Sequence, residues 1–274
     1  MIETNLSEFW GNDNRPKDLK AITKAVLKII EAEEGMEKSR EEKEIDYLSM
    51  FINHGDCVID VGANFGTYSV RMSDLVGDGG VVVAFEPYIP TFDVLTEVLK
   101  YFESEEIVQT YNIAIDDIPG LHQVEIVLPP IGNTEYGDPF GLPVGLASIR
   151  GQRLWKTAQK AHACTIDDFT SLKNITFVKI DVEGAELKVI KGMTQTIAQW
   201  RPVIMAEVED RHLVTHGSSI PEFRAHVHEM GYEMFALEMW GPDIFLKAID
   251  AVTWQENNHF LIPREKVKNY EVRQ

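Results

Sequence analysis

The stretch VIDVGANFG, residues 58–66, constrains the fold more than any other part of the chain: a hydrophobic strand breaks into a glycine turn and leads into a helix. Strand, glycine turn and helix in that order aim backbone N–H groups and a helix N-terminus at a ligand. The order Asp60-Val61-Gly62-Ala63-Asn64-Phe65-Gly66 departs from the dinucleotide fingerprint G-x-G-x-x-G, because Asn64 stands where a second glycine would be. Asp60 at the strand tip would also set a carboxylate against a pyrophosphate.

A carboxylate there suits a ligand with a cationic end. S-adenosylmethionine carries an ammonium and a sulfonium and no phosphate. The next strand, VVVAFE, ends at Glu86, about twenty residues after the glycines, where nucleotide folds place an acid on the ribose hydroxyls. Alone, Glu86 would read as an ordinary exposed strand-end acid. After an apolar strand and a glycine loop it reads as the ribose ligand.

From residue 56 onward short apolar strands alternate with helical segments. CVIDV, VVVAFE, IVQTYNIAI, FVKID and VIMAEV are strands; helices are expected over residues 67–76, 91–102, 185–198 and 221–230; YEMFAL and HFLIP are late strands. Near-continuous apolar strands alternating with helices predict an α/β domain whose mostly parallel sheet is covered on both faces. Ahead of it, residues 17–34 have apolar positions at helical spacing and residues 45–52 form a short second helix, so residues 1–55 are expected as a helical extension packed on a domain of residues 56–274. Between residues 120 and 165 the alternation fails. QVEIVL reads as a half-exposed strand, and the Gly- and Pro-rich PPIGNTEYGDPFGLPVG follows. Long irregular loops of this kind are usually functional or disordered; residues 128–148, with Tyr136 and Phe140, are expected to cover an acceptor site.

Composition narrows the function classes. Twenty-six basic residues against 44 acidic give a net charge of −18, which repels nucleic-acid backbones and anionic lipid. No apolar run is long enough to cross a bilayer, and the first residues lack a basic-then-apolar signal. Cys57 and Cys164 form no pattern and suit a reducing cytoplasm. The expected location is cytoplasmic, and the expected partner is a small-molecule, glycan or lipid-linked acceptor, with no nucleic acid and no membrane insertion.

VIDVGANFGTYSV, AFEPYIPTFDVL, YNIAIDD, CTIDDF, FVKIDVEGAELKVIKG and RPVIMAEVE, in that order, resemble the FkbM-type S-adenosylmethionine-dependent methyltransferases, with KIDVEGAE the most specific motif. The resemblance implies a class I methyltransferase fold, a Rossmann-like, mostly parallel seven-stranded sheet with helices on both faces, and O-methylation of a small-molecule, sugar or lipid acceptor. It also implies that Asp60, Gly62, Asn64 and Gly66 surround the methionine part of the cofactor, Glu86 the ribose, and the backbone of Ala114, in the turn after the third strand, the adenine.

FVKIDVEGAE sets a second problem. Lys179 sits inside an apolar strand, where an unpaired ammonium is costly. In a class I fold its neighbours carry Asp60 and Glu207, so it is either paired or reaching to water. Asp181 and Glu183 follow at the strand end, where ligands of open sheets bind, whereas Glu186 suits a helix dipole and no more. A hydroxyl acceptor must lose a proton, and Asp181, Glu183 and Glu207 are the catalytic candidates, with Asp181 as base and Glu183 assisting. Glu209, His212 and His216 invite a metal reading, but the sequence offers no firm metal spacing and no metal is expected. N-methylation, a nicotinamide-dependent oxidoreductase and a non-catalytic cofactor-binding subunit are the alternatives. Asp60 and the missing glycine argue against the oxidoreductase.

Overall fold

The computed structural model describes Thr23, Leu27 and residues 43–128, 148–149, 157–240, 243–249 and 257–273. The helix expected over residues 17–34 lies outside the described residues except at Thr23 and Leu27, both helical, and Leu27 packs on the core. The expected acceptor cover, residues 128–148, lies outside them apart from its two ends. The second N-terminal helix is a 3-10 helix, Lys43–Met50.

The first half of the domain runs β1 (Cys57–Val61), α1 (Thr67–Val76), β2 (Val81–Phe85), α2 (Ile89–Tyr101), β3 (Val108–Tyr111) and β4 (Ala114–Ile115). The interrupting region supplies β5 (His122–Leu128), β6 (Ser148–Ile149) and β7 (Thr157–Cys164). The second half is β8 (Ile175–Ile180), α3 (Glu186–Lys191), α4 (Thr194–Trp200), β9 (Val203–Val208), α5 (Asp210–Thr215), α6 (Ile220–Glu229), β10 (Tyr232–Trp240), β11 (Asp243–Ala248), β12 (Asn257–Pro263) and β13 (Val272–Arg273). The single helix expected over residues 185–198 is divided into α3 and α4. Asp167 causes the restart: its carboxylate accepts the Gln195 and Thr196 N–H groups at 2.7 and 2.9 Å, capping α4 from another part of the chain.

The main sheet has the order β13-β11-β10-β12-β9-β8-β1-β2-β3. Parallel pairing joins β9, β8, β1, β2 and β3, and β12 runs antiparallel between β9 and β10. These are the seven strands expected of a class I methyltransferase. The sheet itself has nine, because β11 and β13 extend the β10 edge. A separate four-stranded sheet, β4-β7-β5-β6, takes in the interrupting segment. Among the described residues no helix is long and apolar enough to cross a membrane.

Strand alternation divides the core in two. Ile59, Val61, Val83, Val178 and Ile204 face α3, α4, α5 and α6. Val58, Val82, Phe177 and Met205 face α1, α2 and the 3-10 helix. Asp60, Lys179 and Glu207 fall on the second alternation, so the pleat brings these charges to one face. Both cysteines are buried and free, and burial pushes their thiols up to about 11 and 12, which makes them unreactive.

Candidate active site

The ends of β1, β2, β8 and β9 gather every expected site residue except Ala114. The loop after β1 passes through the left-handed region three times, at Gly62 (φ 79°), Asn64 (φ 51°) and Gly66 (φ 94°). Asparagine is among the few side chains that visit this region routinely, so Asn64 meets the same backbone demand as the glycine it replaces. Gly62 answers a second demand as well. A Cβ there would lie 1.8 Å from the Asp181 carbonyl oxygen, because the end of β8 crosses directly over the loop.

Glu86 follows β2 and is buried at 6% exposure. Its Oε2 accepts the Asn64 N–H at 3.1 Å and its Oε1 accepts the Tyr88 N–H at 2.8 Å, while Asn112 donates from its side chain to the Glu86 carbonyl at 2.6 Å. Burial pushes the carboxyl up to about 7, against the pull of those two N–H groups. Asn112 was not foreseen; its position just after β3 was the available signal. Ala114 is not in a turn: it lies in β4, paired with Ala163 of β7, and is buried.

Asp60 is fully buried beneath the loop. Its Oδ2 accepts the Ser69 hydroxyl at 2.6 Å, and its Oδ1 lies 3.7 Å from the Lys179 ammonium. Burial raises its carboxyl, and Lys179 and Ser69 pull it back. Asp60 is thus enclosed between Ser69 and Lys179. Of the two readings of Lys179, pairing is the one observed. Its ammonium also bonds Asp181 Oδ2 at 3.1 Å and the Gly62 carbonyl at 3.3 Å, and lies 4.7 Å from the centre of the Tyr68 ring.

The turn after β8 brings the acids together. Glu183 holds φ 58° and Gly184 φ 111°. A Cβ at Gly184 would lie 2.4 Å from the His212 carbonyl oxygen, so glycine lets α5 close onto this turn. Glu186 staples it from beneath, its Oε1 accepting the Val182 and Gly184 N–H groups at 3.2 and 3.0 Å. Burial pushes its carboxyl up to about 7. Glu183, Glu207 and His212 each offer a ligand atom within 4.8 Å of the others. The charge of Asp181, then burial, then Glu183 hold the Glu207 carboxyl far above the carboxylate range. His212, whose segment showed no clear periodicity, is on α5, with Nδ1 3.2 Å from Glu183 Oε2 and Nε2 3.4 Å from Glu209 Oε2.

A mostly parallel sheet of this order, with a glycine loop and a buried acid on successive strands, defines a class I methyltransferase. The chain belongs to the FkbM methyltransferase domain family, whose model matches residues 60–234. Among solved structures, the chain is similar to methyltransferase FkbM from Methylobacillus flagellatus KT (15% identity, TM-score 0.48, 80% of this chain and 50% of that one). The match thus spans half of that protein. It is also similar to an S-adenosylmethionine-dependent O-methyltransferase from Thermotoga maritima (13% identity, TM-score 0.45, 90% of this chain and 72% of that one). No curated protein matches the chain.

Proposed function

We propose that the protein moves the methyl group of S-adenosylmethionine to a hydroxyl of a small-molecule, sugar or lipid-linked acceptor. The observation that carries this reading is the placing of two unlike centres along one sheet edge: a buried acid under a glycine loop, and an acidic cluster beside it. The first fits the cofactor. Each Glu86 oxygen uses one N–H bond and keeps a lone pair that a ribose hydroxyl can reach. Gly62, Asn64 and Gly66 would line the methionine part and Ala114 the adenine, with Asp60 holding the loop in shape.

The cofactor supplies an activated methyl group on its sulfonium, so this chain's residues have to align an acceptor, exclude water and take up one proton. Asp181, at 36% side-chain exposure, is the acid an acceptor can reach. It takes the hydroxyl proton as the oxygen–methyl bond forms and the methyl–sulfur bond breaks. Glu183 and Glu207 set the field around it. An amine acceptor would need no such base, so the cluster favours oxygen.

The test is calorimetry with S-adenosylmethionine, followed by transfer of a labelled methyl to a panel of hydroxyl and amine acceptors. Binding and transfer to a hydroxyl are expected. Binding of NADH without binding of S-adenosylmethionine would end the reading, and transfer to amines alone would end its oxygen part.

A further inference from the structure

His212 is enclosed, at 11% side-chain exposure, between two carboxylates, Glu183 at 9% and Glu209 at 12%. A neutral imidazole has a single N–H to give. Glu209 is the better fixed recipient, because its Oε2 is also held by the Arg211 guanidinium. With Nε2–H given to Glu209, the Nδ1 lone pair points at Glu183 Oε2 from 3.2 Å. That contact takes either a second proton on the imidazole or a cation in the proton's place. Glu207, from β9, brings a third donor within 4.8 Å of both.

We infer that Glu183, Glu207 and His212 form a divalent-cation site, with Glu209 orienting the histidine. The three donors come from three separate elements, the turn after β8, the end of β9, and α5, all locked in place. Glu183 is held by the Glu186-stapled turn, Glu207 by strand pairing, and His212 by the close approach at Gly184. A histidine that ligates a metal with one nitrogen and donates the other to a carboxylate is the usual arrangement of such sites. One imidazole with two carboxylates suits manganese or zinc better than magnesium, which prefers all-oxygen shells. Three protein donors leave positions open to water or an acceptor oxygen, beside Asp181. What the cation does to an acceptor, lowering the pKa of the hydroxyl it binds, rests on the methyl-transfer reading. The binding itself does not.

The experiment uses the full chain, freed of metal by chelator and desalting, and titrated with Mn2+ alone while the free ion is followed by electron paramagnetic resonance. One equivalent is expected to bind, with Zn2+ competing for it and Mg2+ competing weakly. Glu207→Gln and His212→Ala should each weaken binding at least tenfold while S-adenosylmethionine affinity, read by calorimetry, is kept. Glu97→Gln, at an exposed acid distant in sequence, should leave Mn2+ binding unchanged and so report on loose binding to an acidic surface. If His212→Ala fails to fold, the near-isosteric Glu207→Gln decides alone. No stoichiometric binding to the wild type, or equal binding to Glu207→Gln, overturns the inference. Mn2+ binding without S-adenosylmethionine binding would sink the methyl-transfer reading and leave the cation site standing.

Discussion

Asp60 and Lys179 are register partners on adjoining parallel strands, and their charges meet 3.7 Å apart with almost no exposure to water. Removing one member of a buried pair strands the other. Lys179→Ala should therefore cost about 3–5 kcal/mol of stability, read as a lower denaturant midpoint. Unchanged stability with lost activity would make Lys179 a working group of the reaction instead.

The loop makes a sharper backbone prediction. Asn64→Gly should be close to neutral for stability, because glycine accepts the left-handed conformation freely. Asn64→Ala should cost about 1–2 kcal/mol. Thermal melts of the two variants compare them directly, and equal melting temperatures would contradict the argument.

Glu86 gives the pH dependence. Burial raises its folded carboxyl from 4.5 to about 7, against the Tyr88 and Asn64 N–H groups and Lys179, with Asp60 adding to the rise. Between those values the folded state keeps a proton that the unfolded chain releases. Stability of the ligand-free protein should thus fall as pH rises from 4.5 to 7, by up to about 3 kcal/mol from this group. Glu186 adds in the same direction. Ribose hydroxyls favour the charged form, so S-adenosylmethionine should bind more tightly at pH 8 than at pH 6 and displace a proton at pH 6. Calorimetry in two buffers of different ionisation enthalpy measures that proton, and Glu86→Gln should abolish its release.

Asp181→Asn should lower turnover by roughly 10²–10⁴-fold, with cofactor affinity and melting temperature near those of the wild type. Normal turnover in this variant would remove Asp181 from the chemistry.

Much of this was legible in the sequence, because buried parallel strands read as apolar runs and their ends carry the polar residues that bind. CVIDV has the predicted boundaries and VVVAFE ends one residue early, at Phe85, and the flanking of Lys179 by acid-bearing strands followed from the strand order that the family resemblance implies. Other features rest on partners far along the chain. The break between α3 and α4 depends on Asp167, and the burial of Asp60 depends on Ser69 and Lys179 lying over it. β13 is a two-residue strand whose only mark is its pairing with β11. His212 escaped assignment because α5 is a six-residue helix, shorter than two turns and too short to show a period.

The contact between the Lys179 ammonium and the Gly62 carbonyl joins residues 117 positions apart in sequence. Closing so long a loop carries an entropic penalty that local structure cannot offset, and parallel pairing between distant strands is slow to form. The glycine loop and its acid can be synthesised, and their strand and helix can form, well before β8 exists to complete them. This end of the sheet is therefore among the last parts of the molecule to mature, and a refolding chain should regain helical signal before it regains the proposed binding of S-adenosylmethionine.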